Sequence, residues 1–125
     1  MNLIERQTLP AIPLPGRILQ KAIGPDAASP SDGMAMGFAR YCAEAGPMEP
    51  HHHAEEIVYI LKSDGGYVRH GDDPAALGER VPLTAGMTLH FPALEWHVFE
   101  YDTGGEIEII FFYGQTDNLR PEEKR

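Results

Sequence analysis

Short runs rich in Val, Ile, Tyr and Phe alternate along the chain with glycine- and proline-rich connections, the pattern of an all-β protein with many turns. The runs predict about eight strands, at Gly16–Ile23, Met34–Cys42, Glu56–Lys62, Gly66–His70, Glu79–Leu83, Met87–Phe91, His97–Tyr101 and Glu106–Tyr113. Turn chemistry separates them: Gly24 to Gly33 is rich in Pro, Asp and Ser, Ser63 to Gly66 carries Asp-Gly-Gly, and Thr103 to Gly105 ends in Gly-Gly. Long helices have almost no room.

Period-two parity is informative in two strands. In Glu106–Tyr113 the residues Ile107, Ile109, Phe111 and Tyr113 share one face and Glu106 and Glu108 the other, as in a half-buried strand. In Glu56–Lys62 both faces are apolar. Val58 and Ile60 follow Glu56, while Ile57, Tyr59 and Leu61 oppose them, so both sides are expected to be covered, by a dimer partner or by the N-terminal arm.

The 125 residues suit one domain with one core, residues 1–125, and contain no apolar run long enough to cross a membrane as a helix. Met1 to Thr8 lacks the features of a secretory signal, which places the expected location in the cytoplasm. A net charge of −9 without a Lys/Arg cluster argues against nucleic acid and anionic membrane as partners. Cys42 is the only cysteine, so no intrachain disulfide exists, and its apolar setting reads as a structural thiol.

Chemistry concentrates in Pro50-His51-His52-His53-Ala54-Glu55-Glu56, where three imidazoles precede a strong strand. Residues two apart on a strand point the same way, so His51 and His53 can aim at one point while His52 faces away, and a carboxylate on a neighbouring strand can supply a third ligand. Some forty residues on comes Gly86-Met87-Thr88-Leu89-His90-Phe91-Pro92-Ala93-Leu94-Glu95-Trp96-His97. No phosphate loop, nucleophile elbow or HExxH pair accompanies these segments, which argues against kinase, triad-hydrolase and zinc-peptidase chemistry.

The second segment resembles the second motif of the cupin superfamily, G-x(5)-P-x-G-x(2)-H-x(3)-N, with Gly86, Pro92 and His97 at matching intervals, Leu94 in the place of the glycine and Tyr101 in that of the asparagine. Gly46 through Gly65 is similar to the first motif, G-x(5)-H-x-H-x(3,4)-E-x(6)-G, with Ser63 in the place of its final glycine. The histidine register is open. The His51 and His53 pair falls one residue short on each side; counting from Gly46 makes His52 the first histidine, counting back from Glu56 makes it the second, and Glu49 with His51 is a further pairing. Parity favours His51 and His53.

The resemblance spans about residues 34–112, leaving an N-terminal arm of about 1–33 and a short charged tail, 118–125. It implies a cupin-type double-stranded β-helix or jelly-roll-like barrel, often a homodimer, holding one divalent transition metal (Fe, Mn, Ni, Co or Zn) through His51, His53, Glu56 and His97. Such an N/O set leaves coordination positions open for a small-molecule substrate. The implied activity is lyase or isomerase chemistry by Lewis-acid polarisation, or dioxygenation, on a polar metabolite; the alternative is a non-catalytic cupin that binds or senses one. Tyr101 shares parity with His97 and is the candidate acid/base, with Phe99, Trp96, Arg40 and His90 as pocket candidates. His70 and Glu55 read as surface residues.

Overall fold

The computed structural model describes residues 1–114, so the charged tail expected at 118–125 lies outside the described residues. Eight strands form one sheet system: β1 (Ile12–Leu14), β2 (Arg17–Gly24), β3 (Ser29–Pro30), β4 (Ala35–Cys42), β5 (Glu56–Gly71), β6 (Val81–Pro82), β7 (Thr88–Phe91) and β8 (Trp96–Tyr113). The main path runs β1-β2-β4-β8-β5-β6, with β3 beside β2 and β7 beside β5. Two 3-10 turns, Arg6–Thr8 and Ala43–Ala45, are the helical segments among the described residues.

Four of the expected strands are joined into two. Glu56–Lys62 and Gly66–His70 are one strand, β5, and His97–Tyr101 and Glu106–Tyr113 are one strand, β8; the Gly-rich segments read as turns are bends inside them. The two pair antiparallel from Glu56↔Tyr113 to Gly71↔Trp96, with irregularities between Ile60 and Lys62 and between Asp64 and Gly66. Glycine is required at this corner. A Cβ on Gly66 would stand 2.4 Å from Ile107 Cγ1, and one on Gly105 would stand 2.3 Å from the Asp64 carbonyl oxygen. The strand expected at Glu79–Leu83 is reduced to Val81–Pro82, with the Leu83 N–H bonded to the Gly66 carbonyl just beyond it at 2.9 Å.

The ribbon is doubled over at that corner. His70, which faces His97, lies fourteen residues after Glu56 on β5, about 46 Å away along a straight strand. Yet His97 Nε2 and Glu56 Oε1 are 3.4 Å apart. The two ends of the ribbon therefore face each other across the core, and Val58, Ile60, Val68, Phe99, Ile107, Ile109 and Phe111 fill the space between. Each fully buried aliphatic of this set contributes roughly 1.5–3 kcal/mol.

β4 supplies a thin wall. Its inward residues Ala35, Gly37 and Ala39 face Tyr113, Phe111 and Ile109 in register, and a Cβ on Gly37 would meet the Phe111 ring at 2.8 Å. Cys42, at the end of β4, is buried. The outer face is partly covered by the N-terminal arm, where the Arg6 guanidinium sits 4.7 Å over the Phe38 ring and pairs with Glu108 at 2.7 Å. Further along, Ile57, Tyr59 and Phe112 remain 40–46% exposed, so within one chain the second apolar face of the β5 strand stays open.

Candidate metal centre

The segment preceding β5 brings His51 against β8, where the two backbones exchange hydrogen bonds: His51 N–H to the His97 carbonyl at 3.0 Å and His97 N–H to the His51 carbonyl at 2.9 Å. That bridge sets the alternation. His51 and His53 turn inward with His97, and the ligand atoms of the three imidazoles lie within 4.8 Å of one another. His52 turns outward, stacking on Trp96 at 3.8 Å with the rings 12° from parallel.

The three inward rings share one hydrogen-bonding pattern. Nδ1 of His51 lies 3.4 Å from the Glu49 carbonyl oxygen, Nδ1 of His53 lies 2.9 Å from that of Ala54, and Nδ1 of His97 lies 3.0 Å from that of Glu95. A carbonyl only accepts, so each Nδ1 carries a proton, and a ring in its neutral form presents its lone pair at Nε2. Such outer contacts fix the tautomer and orientation of metal-binding histidines. His97 Nε2 is buried and has no hydrogen-bond partner, an orphaned acceptor of the kind a cation satisfies.

Glu56 stands beside them, 5% exposed, with Oε1 3.5 Å from His53 Nε2 and 3.4 Å from His97 Nε2. A buried carboxylate among lone pairs is costly unless a cation compensates it. The donor set, three imidazoles with an adjacent carboxylate, could hold a divalent transition metal.

Two aromatic residues in the site were not singled out from sequence. Phe91, on β7, stacks on the His97 ring at 4.0 Å and 14°. Tyr113, at the end of β8, sets its hydroxyl 3.5 Å from His53 Nε2 with the two rings edge-to-face. Its signal was present in the alternation of the last strand, which put Tyr113 on the buried face.

The remaining sequence candidates lie elsewhere. Tyr101 reaches the Gly46 carbonyl at 3.4 Å on the wall of a separate 470 Å³ cavity, and burial, with the nearby Cys42 thiol, pushes its phenol pKa up. Phe99 is packed beneath the site, 4.8 Å from the Tyr41 ring and 6.4 Å from that of His97. Trp96 forms the outer stack on His52. Arg40 points to the outside of β4 and pairs with Glu106 at 2.6 Å. His90 is an exposed partner of Glu55, and His70 an exposed partner of Glu95. None of these side chains has a polar contact with the three inward imidazoles.

The loop after Pro92 keeps a left-handed turn. Leu94, in the place of the motif's glycine, has φ 69°, and its N–H bonds to the His53 carbonyl at 2.8 Å. The loop is thereby tied to the metal-site segment.

No family model and no curated protein matches the sequence. Solved structures do. A protein from Planctomyces limnophilus superposes with a TM-score of 0.72 at 18% identity, over 98% of this chain and 93% of that one. The polyketide cyclase RemF from Streptomyces resistomycificus gives 0.70 at 19% identity, over 96% and 82%. A variant of Bacillus subtilis oxalate decarboxylase OxdC gives 0.67 at 15% identity, over 89% of this chain but 29% of that larger one. Together with the all-β doubled ribbon, these likenesses identify the fold as the cupin fold.

Proposed function

We propose that this chain is a divalent-metal cupin enzyme acting on a small polar metabolite with a carboxylate or enolisable group, by Lewis-acid lyase or isomerase chemistry or by dioxygenation. The observation that carries the reading is the convergence of ligand atoms from three imidazoles, with His97 Nε2 orphaned in the core, beside the buried Glu56 carboxylate. In this reading His51, His53, His97 and Glu56 hold the ion. A metal held there would supply Lewis-acid polarisation of a substrate oxygen.

The residues of the chain do the rest. The carbonyls of Glu49, Ala54 and Glu95 keep the imidazoles in the tautomer that binds a cation. Glu56 lowers the net charge of the occupied site, and the stacked Phe91 and buried Phe99 exclude water from behind His97. The reading is supported by similar structures described as a polyketide cyclase, a hydroxypropylphosphonic acid epoxidase and an oxalate decarboxylase, and by HppE structures described with Fe(II) and with Co(II). A second copy of the chain covering Ile57, Tyr59 and Phe112 would make the homodimer that the cupin resemblance implies.

Elemental analysis of freshly purified protein tests the proposal. Wild type is expected to carry close to one metal per chain, and His97→Ala and Glu56→Ala to carry far less at equal folding. Equal trace metal in all three sinks it.

A further inference from the structure

The middle histidine of the run takes no part in the inward cluster, and its contacts go instead to the loop that carries His97. The exposed His52 ring lies on Trp96 at 3.8 Å, 12° from parallel, and its Nδ1 donates to the Leu94 carbonyl at 3.2 Å. Leu94 is held at its other backbone group as well, its N–H donating to the His53 carbonyl at 2.8 Å. Two successive residues of the metal-site segment thus grip one residue of the loop, and the stack on Trp96 fixes the loop on the far side of Glu95.

Glu95 stands between the two residues that His52 touches. Its carbonyl accepts from His97 Nδ1 at 3.0 Å, and a contact of this kind sets the tautomer and tilt of a metal-binding ring. The tilt in turn aims His97 Nε2, the buried atom without a hydrogen-bond partner. The backbone bridge between His51 and His97 fixes where His97 sits along the strand, but the Glu95 carbonyl lies outside its two hydrogen bonds. From this geometry we infer that His52 is a positioning residue of the metal centre, a clamp that acts through Leu94 and Trp96 to hold the Glu95 carbonyl and so orient His97. The inference rests on the metal reading above and brings the outward histidine into the site without making it a ligand.

Zinc affinity of the full-length protein, measured by competition with a chromophoric chelator, provides the test. His52→Ala is expected to bind zinc about tenfold more weakly than wild type, the lower end of what loss of an outer contact at a metal site costs. His52→Phe keeps a ring for the stack and His52→Asn keeps a donor for the Leu94 carbonyl, so each is expected to recover part of the affinity. Recovery by neither, or wild-type affinity in His52→Ala, overturns the clamp and leaves the metal reading intact, whereas a wild type that takes up no zinc overturns both. Visible spectra of the Co(II)-loaded proteins separate positioning from ligation. Wild type and His52→Ala are expected to share the same bands at saturation; a change as large as that in His51→Ala overturns the clamp, since His52 would then be a ligand. Should His52→Ala fail to fold, the two conservative variants carry the test: weaker zinc binding by either supports the clamp, and wild-type affinity in both overturns it.

Discussion

Gly66 and Ile107 meet across the corner of the β5–β8 ribbon so closely that the first carbon of any side chain at position 66 would stand 2.4 Å from Ile107 Cγ1. Ile107 is fully buried and has nowhere to retreat. Gly66→Ala is therefore expected to lower stability by about 2 kcal/mol, in the range of overpacked cores. Urea denaturation of the variant should show a reduced midpoint with an unchanged slope; a midpoint equal to wild type would mean that the corner is slack.

Leu94 holds a left-handed conformation, φ 69°, with its side chain 65% exposed. A leucine in this region is strained by roughly 1–2 kcal/mol, and little apolar burial is lost on truncation. Leu94→Gly is expected to raise the melting temperature by a few degrees without loss of bound metal, as read by calorimetry and elemental analysis. A lower melting temperature would show that the exposed side chain has a packing role.

Glu106 accepts hydrogen bonds from Lys62 and Arg40, each at 2.6 Å, and these two cations hold its carboxyl below the usual carboxylate range. A carboxyl depressed in the folded state adds stability above its unfolded pKa, about 4.3, and loses that contribution as the pH falls through the lower folded value. Glu106→Gln should thus differ most from wild type at neutral pH and converge with it in acid. The partners are largely solvent-exposed, so the difference at pH 7 is expected to be small, within the range of about 0.2–1 kcal/mol. Paired urea melts at neutral and acid pH measure it, and a gap that persists in acid would contradict the assignment.

Phe112, Ile57 and Tyr59 form an apolar strip left open on the outer face. If a second copy covers it, Phe112→Glu places a charge in the interface, and sedimentation velocity should show a dimer for wild type and a monomer for the variant. A wild-type monomer at tens of micromolar would dismiss this use of the strip.

Much of the site was legible because it is local. His51 and His53 keep the two-residue alternation and converge with His97, while Glu56, three residues on and of opposite parity, reaches them across the bend at Ala54, and His97 sits a fixed interval after Pro92 in a turn whose left-handed residue persists even with leucine in it. Tyr113 was obscured for the opposite reason. Parity along one strand pointed to Tyr101, four residues from His97, but four residues carry a strand about 13 Å away from the imidazole. Tyr113, sixteen residues on, returns because the ribbon doubles back, and the bends at Ser63–Gly66 and Thr103–Gly105 read as ordinary turns in sequence. Arg40 misled in a related way: the small residues Ala35, Gly37 and Ala39 mark the inner face of β4, leaving Arg40 outside.

The doubled ribbon would give an ion at this centre a mechanical role. The histidine from one end of the ladder and the carboxylate from the other would be bound to the same ion, which would act as a clasp on the open end of a folded strip whose other end is the glycine corner. Opening the strip from that end would then require the clasp to be released first, so that metal affinity and the resistance of the terminal residue pairs of this β-ladder, Glu56↔Tyr113 and Gly71↔Trp96, would be two readings of one linkage.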